Sequence, residues 1–142
     1  MRIFAVSDIH GCFTTFSELL FGRISLQKTD RLFLLGDYID RGPSSKQVLD
    51  LIMNLTAEGY DIVPLMGNHE KMMLDAFRDP DNPYRWFLNG GDTTMKSFGL
   101  TDIEAIPGKY ILFLESLQYY SISGNMFLST DLLTRMERHR LL

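Results

Sequence analysis

Three short polar clusters hold residue types that bind metals and move protons: Ser7-Asp8-Ile9-His10-Gly11, Gly36-Asp37-Tyr38-Ile39-Asp40-Arg41-Gly42 and Gly67-Asn68-His69-Glu70. Asp8 and His10, two positions apart, offer a hard oxygen and an imidazole. Asp37 adds a carboxylate able to bridge two cations, and Asn68 a neutral amide oxygen. A mixed oxygen and nitrogen shell suits Mn, Fe or Zn better than Ca. Two cations about 3.5–4 Å apart would bind two phosphate oxygens and turn a bridging water into hydroxide for in-line attack. The planar fork of Arg41 fits phosphate oxygens in a way Lys does not. His69 can protonate the leaving oxygen if it is an imidazolium, and a neighbouring carboxylate such as Asp40 would favour that charge and orient the ring. The chemistry indicated is metal-assisted phosphoester hydrolysis.

Each residue alone has a plainer explanation. An Asp after a strand is often a cap, and an Arg is usually a solvated charge. The order and placement of all three clusters carry the reading. Arg2–Val6, Arg31–Leu35 and Ile62–Met66 are apolar runs that read as strands, and each stops at one cluster. Between them, Phe13, Phe16, Leu19 and Leu20 recur at helical spacing up to Gly22. Val48, Leu51, Ile52 and Leu55 do the same between Ser44 or Ser45 as cap and Gly59. Alternating strands and helices predict a parallel sheet of right-handed βαβ units. Ligands then gather beyond the strand C-termini, where Asp8, His10, Asp37, Asp40, Arg41, Asn68 and His69 should converge.

Further along, Lys71 to about Gly99 reads as short helices broken at Asp79-Pro80, Asn82-Pro83 and Gly90-Gly91, with Trp86, Phe87 and Phe98 packing underneath. Tyr110–Leu117 is spaced as a helix. Tyr119–Ile122 and Met126–Leu128 read as a hairpin around Gly124-Asn125. The tail from Asp131 is basic and helix-compatible. Cys12 reads as a small buried residue, Met66, Met72 and Met73 as core, and Asp30, Glu104 and Glu115 as surface charge.

With 142 residues, 45% of them hydrophobic, the chain can form a core without disulfides or a structural metal. A formal charge of −4 without a Lys/Arg block argues against charge-driven nucleic-acid binding. No apolar run nears the roughly 18 residues of a membrane helix. One Cys and no leader-like start fit a cytoplasmic protein.

The three clusters resemble the motifs of the phosphoprotein phosphatase branch of the calcineurin-like metallophosphoesterases: the first motif around Asp8 and His10, GDxxDRG at Gly36–Gly42, and GNHE at Gly67–Glu70. The likeness continues through Trp86-Phe-Leu-Asn-Gly-Gly91 with Thr94 and Ser97 to Leu117-Gln-Tyr-Tyr120. Bacterial and phage-type serine/threonine protein phosphatases and symmetrical diadenosine tetraphosphatases are the nearest in pattern. The resemblance implies an α/β fold, the family's β-sandwich with flanking helices, here with its second half incomplete. Residues 1–128 would be the N-terminal part of the domain and 129–142 a divergent tail.

By the same resemblance, Asp8, His10 and Asp37 hold a first divalent metal. Asp37 bridges to a second, which Asn68 also binds. Asp40 pairs with His69 as general acid, Arg41 binds phosphate, and Glu70 supports the Arg and the loop. Mn is the expected metal, with Fe or Zn as alternatives. Met66 stands where some members carry a basic residue. Ser129 stands where the family's Val-His-Ala-Gly motif places a metal-binding His, and the family's later His and Arg fall beyond Leu142. His139, in Arg135-Met-Glu-Arg-His-Arg140, resembles neither motif. The expectation is hydrolysis of phosphoserine or phosphothreonine in proteins, or of a small phosphoester such as a dinucleoside polyphosphate, impaired or lost because the second metal is short of ligands. The alternative is a non-catalytic remnant that binds phosphate or a partner, with self-association through exposed apolar surface.

Overall fold

The computed structural model describes residues 1–123 and 126–129. Gly124-Asn125, Asp131 and His139 lie outside the described residues, as does the tail expected to be helix-compatible. Three four-residue strands, β1 (Ile3–Val6), β2 (Arg31–Leu34) and β3 (Asp61–Pro64), form a parallel sheet in the order β1-β2-β3. Ile3 pairs with Arg31 and Arg31 with Asp61, so the three strands end level. Arg31 Nε donates to Asp61 Oδ2 at 2.7 Å across that register.

β2 carries the core. Leu32, Phe33 and Leu34 are all buried, as expected of a central strand covered on both faces. β1 is an edge, with Ile3 45% exposed. α1 (Phe13–Ser17) runs on into a wider π turn at Glu18–Arg23, where the sequence predicts one helix to Gly22. α2 (Ser45–Ala57) buries Val48, Leu49, Ile52 and Leu55. It ends in a Schellman closure: Tyr60 N–H donates to the Leu55 carbonyl and Gly59 N–H to that of Thr56, with Gly59 at φ 85°.

After β3 come α3 (Asn68–Arg78), α4 (Tyr84–Leu88) and α5 (Gly91–Phe98), broken at the Pro and Gly pairs that the sequence marks. α3 starts three residues earlier than Lys71, so Asn68, His69 and Glu70 form its first turn. A short 3₁₀ turn (Ile103–Ala105) leads to α6 (Gly108–Glu115). The chain then returns beside β3: Leu65 bridges in parallel to Gln118, and Met66 N–H donates to the Gln118 carbonyl at 2.7 Å. β4 (Tyr120–Ser123) and β5 (Met126–Ser129) pair antiparallel, Tyr120 opposite Ser129.

Trp86 is buried and stacks on Phe87 at 5.5 Å, while Phe98 meets Tyr110 edge-on at 4.8 Å. Met66, Met72 and Met73 are core, and Glu104 and Glu115 are exposed. Two expectations are corrected. Cys12 is exposed, on the loop that leads into α1. Asp30 is 3% exposed: Arg2 covers it with Nη2 at 2.5 Å and Nε at 3.1 Å, and its carboxylate also accepts Gln27 N–H.

Candidate metal centre

The three polar clusters meet at the strand ends through backbone pairing. His10 N–H donates to the Asp37 carbonyl and Gly11 N–H to that of Tyr38, at 2.9 and 2.8 Å. Gly42 N–H returns to the His10 carbonyl at 3.0 Å. A Cβ on Gly42 would lie 2.1 Å from that oxygen, and one on Gly67 2.4 Å from Asp37 N, so both close approaches require glycine. Among the described residues six non-glycine residues have positive φ, and five of them are Asp8, His10, Asp37, Asp40 and Arg41. Such conformations are disfavoured for side-chain-bearing residues and concentrate at functional sites.

Glu70 braces the middle loop from beneath. It is fully buried, and its carboxylate accepts the N–H groups of Asp37 (2.8 Å), Tyr38 (2.7 Å), Ile39 (3.3 Å) and Gly67 (3.0 Å). Burial pushes its carboxyl up to about 7, against the pull of the Asp37 and Tyr38 N–H donors. The loop is thus supported as the sequence suggests, while Arg41 is not among the groups Glu70 holds.

Asp8, His10 and Asp37 each present one ligand atom, and these atoms lie within 4.8 Å of one another. Among the described residues this is the one such group of three or more His, Cys, Asp or Glu. His10 Nδ1 lies 2.9 Å from the Ile39 carbonyl. A carbonyl only accepts, so Nδ1 carries the proton and Nε2 is left with a free lone pair, 3.9 Å from Asp8 Oδ1. Asn68 faces Asp37. With its amide nitrogen inward it donates to Oδ1 at 2.8 Å and Oδ2 at 3.2 Å. With its oxygen inward, acceptor meets acceptor, and a cation between them is what reconciles the pair. Two carboxylates, an imidazole nitrogen and an amide oxygen therefore fit a divalent metal, whose ligand distances of about 2.0–2.2 Å need only a small contraction.

Beside this group lies a buried pair. His69 Nδ1 donates to Asp40 Oδ2 at 2.8 Å, and both side chains are almost wholly excluded from solvent. Asp40 raises the His69 pKa through that hydrogen bond, partly offset by burial, while Arg41 opposes the positive charge. The His69 and His10 rings meet at 4.7 Å and 81°, so the pair adjoins the metal group. Arg41 itself is exposed, with its N–H on the Gly90 carbonyl at 3.4 Å, and its guanidinium makes no ion pair among the described residues.

All seven residues singled out by type and spacing thus occupy one strand-end region. Trp86 and Thr94 also touch it, both on Asp40. Their types and spacing give no hint of this, since Trp at helical spacing reads as core; the one signal is that the family resemblance runs through Trp86–Gly91 and Thr94. A cleft of about 380 Å³ between α3 and α4 is lined by Met72, Asp75, Arg78, Asn82, Arg85 and Trp86 among others, and by none of the seven site residues. Ser129 is in β5, opposite Tyr120.

A parallel sheet with its loops gathered over an Asp-His-Asp group and a His-Asp pair defines a metallophosphoesterase, and the sequence profile of the calcineurin-like phosphoesterases matches residues 1–137. The chain belongs to that family. Over 90 residues it is 38% identical to serine/threonine-protein phosphatase 2 of Salmonella typhimurium, covering 63% of this chain and 38% of that protein. Over 74 residues it is 39% identical to the symmetrical bis(5'-nucleosyl)-tetraphosphatase of Aromatoleum aromaticum, covering 52% of this chain and 26% of that one. The metallophosphoesterase structure from Sphaerobacter thermophilus shares the fold, with a TM-score of 0.60 at 20% identity over 89% of this chain and 45% of its own. The matched part is thus less than half the length of each of these relatives.

Proposed function

We propose that the chain binds one divalent cation, Mn²⁺ by preference, through Asp8, His10 and Asp37, with Asn68 and Asp37 left to face a second, and that the site is built for hydrolysis of phosphomonoesters. The observation that supports this most is the contact between the two halves of the chemistry: the metal group and the His69–Asp40 pair adjoin through the His10 and His69 rings. A bound cation would supply Lewis acidity toward a phosphate oxygen and a water of lowered pKa. Arg41, unpaired and exposed at the same strand ends, orients the phosphate by its fork. Asp40 raises the His69 pKa through their hydrogen bond and so favours the imidazolium that gives its proton to the departing alkoxide.

The substrate we favour is phosphoserine or phosphothreonine in a protein, following the relatives named as serine/threonine phosphatases. A dinucleoside polyphosphate is the second reading, carried by the relatives named as tetraphosphatases. Turnover by this chain should be weak, because among the described residues a second cation finds Asp37 and Asn68 alone. In the limit of no turnover the site remains a phosphate- or partner-binding pocket. Exposed Tyr120, Ile122 and Phe127 on the hairpin favour self-association. No helix among the described residues is long and apolar enough to cross a membrane. The one cysteine accords with a reducing cytoplasm.

The test is hydrolysis of p-nitrophenyl phosphate and a phosphoserine peptide with Mn²⁺, for the chain and for His69→Ala. Slow turnover reduced at least tenfold by the substitution, more on the peptide, supports the proposal. Turnover indifferent to His69 contradicts its role, and turnover at the level of the full-length relatives contradicts the impairment.

A further inference from the structure

Asp40 is fully buried, yet its carboxylate is served by three donors from three separate helices or loops. His69 Nδ1 reaches Oδ2 at 2.8 Å, Thr94 Oγ1 reaches Oδ1 at 2.7 Å, and Trp86 Nε1 is shared between both oxygens at 3.0 Å each. The direction of each bond follows from the hydrogens available. A carboxylate accepts only, so the single Thr94 hydroxyl proton goes to Asp40, and Ser45 donates to Thr94 across their 2.9 Å contact. The Asp40 N–H in turn donates to the Thr94 and Ser45 oxygens, at 2.9 and 3.0 Å.

The consequence is geometric. The terminal torsion of an Asp is soft and nearly two-fold, so a carboxylate held by one histidine could turn and carry the ring with it. Donors on Oδ1, on Oδ2 and across both fix its plane. The indole has only one place to lie, because Gly91 packs against its face: a Cβ there would sit 2.6–2.8 Å from the ring atoms. Ser97 joins α5 to the start of α2, accepting Lys46 N–H at 3.0 Å, which holds Thr94 in register with Ser45.

We propose that Trp86 and Thr94 are positioning residues for the proton donor: by clamping the Asp40 carboxylate they fix the tautomer and plane of the His69 ring. This rests on the reading of His69 as the donor. It makes α4 and α5 part of the active site although neither supplies a metal ligand nor a group that reaches substrate.

The hydrogen-bonded proton on His69 Nδ1 is the direct reporter, and it is observable by NMR in histidine-labelled protein whether or not the chain turns over. Wild type and Thr94→Ser, which keeps the hydroxyl, should show it protected from exchange. Thr94→Val, which removes one donor at nearly constant volume, and Trp86→Phe, which removes the other with a smaller ring, should each exchange it at least tenfold faster, with the global fold retained by far-UV circular dichroism. If Thr94→Val does not fold, Trp86→Phe alone decides. Unchanged protection in a folded Trp86→Phe, or a Thr94→Ser that behaves like the loss of the hydroxyl, overturns the proposal. The donor reading fails separately: if His69→Ala leaves hydrolysis of the phosphoserine peptide unaffected, His69 is not the acid, whatever the exchange rates show.

Discussion

The two sides of the site are built in opposite ways. On the metal side, Asp8 is largely exposed, and the Asn68 oxygen and Asp37 carboxylate oppose one another unless the amide turns. On the acid side, Asp40 and His69 are buried, and both Asp40 carboxylate oxygens and the His69 Nδ1 hydrogen are matched within the protein. One side is finished only by a cation. The other is finished by folding. Stability should therefore reside in the buried side and the Glu70 brace, and ligand response in the exposed side.

The largest effect that would break this contrast is at Glu70. Replacing Glu70→Ala strands four buried N–H groups of the Asp37–Ile39 loop and Gly67, and should destabilise the fold by about 3–5 kcal/mol in urea denaturation. A loss under about 1 kcal/mol would mean that water replaces the brace and that the loops are not held from within.

A smaller effect sits at His69. Its folded pKa is raised, chiefly by the Asp40 hydrogen bond, so its contribution to stability is complete below the ordinary value of about 6.5 and is lost as pH rises through the raised value. Melting of the metal-free protein should fall over that window, and His69→Gln should flatten the slope. Away from the site, Arg2 holds Asp30 well below the usual carboxylate range by hydrogen bonding. That contribution is present above the ordinary carboxylate pKa of about 3.9 and disappears as pH falls further. Asp30→Asn should shallow the acid limb of the pH–stability curve and leave metal affinity untouched.

The smallest stability change is expected at Asp8. Because the side chain is exposed, Asp8→Ala should alter metal-free stability by less than about 1 kcal/mol, the cost of placing Ala at φ 54°, while removing metal binding. A large loss of metal-free stability would erase the distinction between the two sides.

Strands and loops were legible because hydrophobic runs stop abruptly at Gly-Asp and Gly-Asn, and those stops put ligand-type residues at strand ends. The first turn of α3 went unread because Asn68 and His69 look like loop chemistry; the available signal was Glu70 three residues after Gly67, whose carboxylate accepts the Gly67 N–H at 3.0 Å. Asp30 misled for a related reason: its partner Arg2 is distant in sequence, and only the alignment of β1 beside β2 brings them together. Cys12 misled because its type favours burial and nothing local reveals its exposure. The roles of Trp86 and Thr94 were hidden because spacing shows that α4 and α5 pack, not which buried atom they meet.

The central claim is that the chain holds a single cation on an otherwise complete acid pair. Mn²⁺ titration of dialysed protein, with metal content counted after gel filtration, tests it most directly. One Mn²⁺ per chain in the wild type, and none in Asp8→Ala, is the predicted result. No bound metal in the wild type, or equal binding by Asp8→Ala, would contradict it.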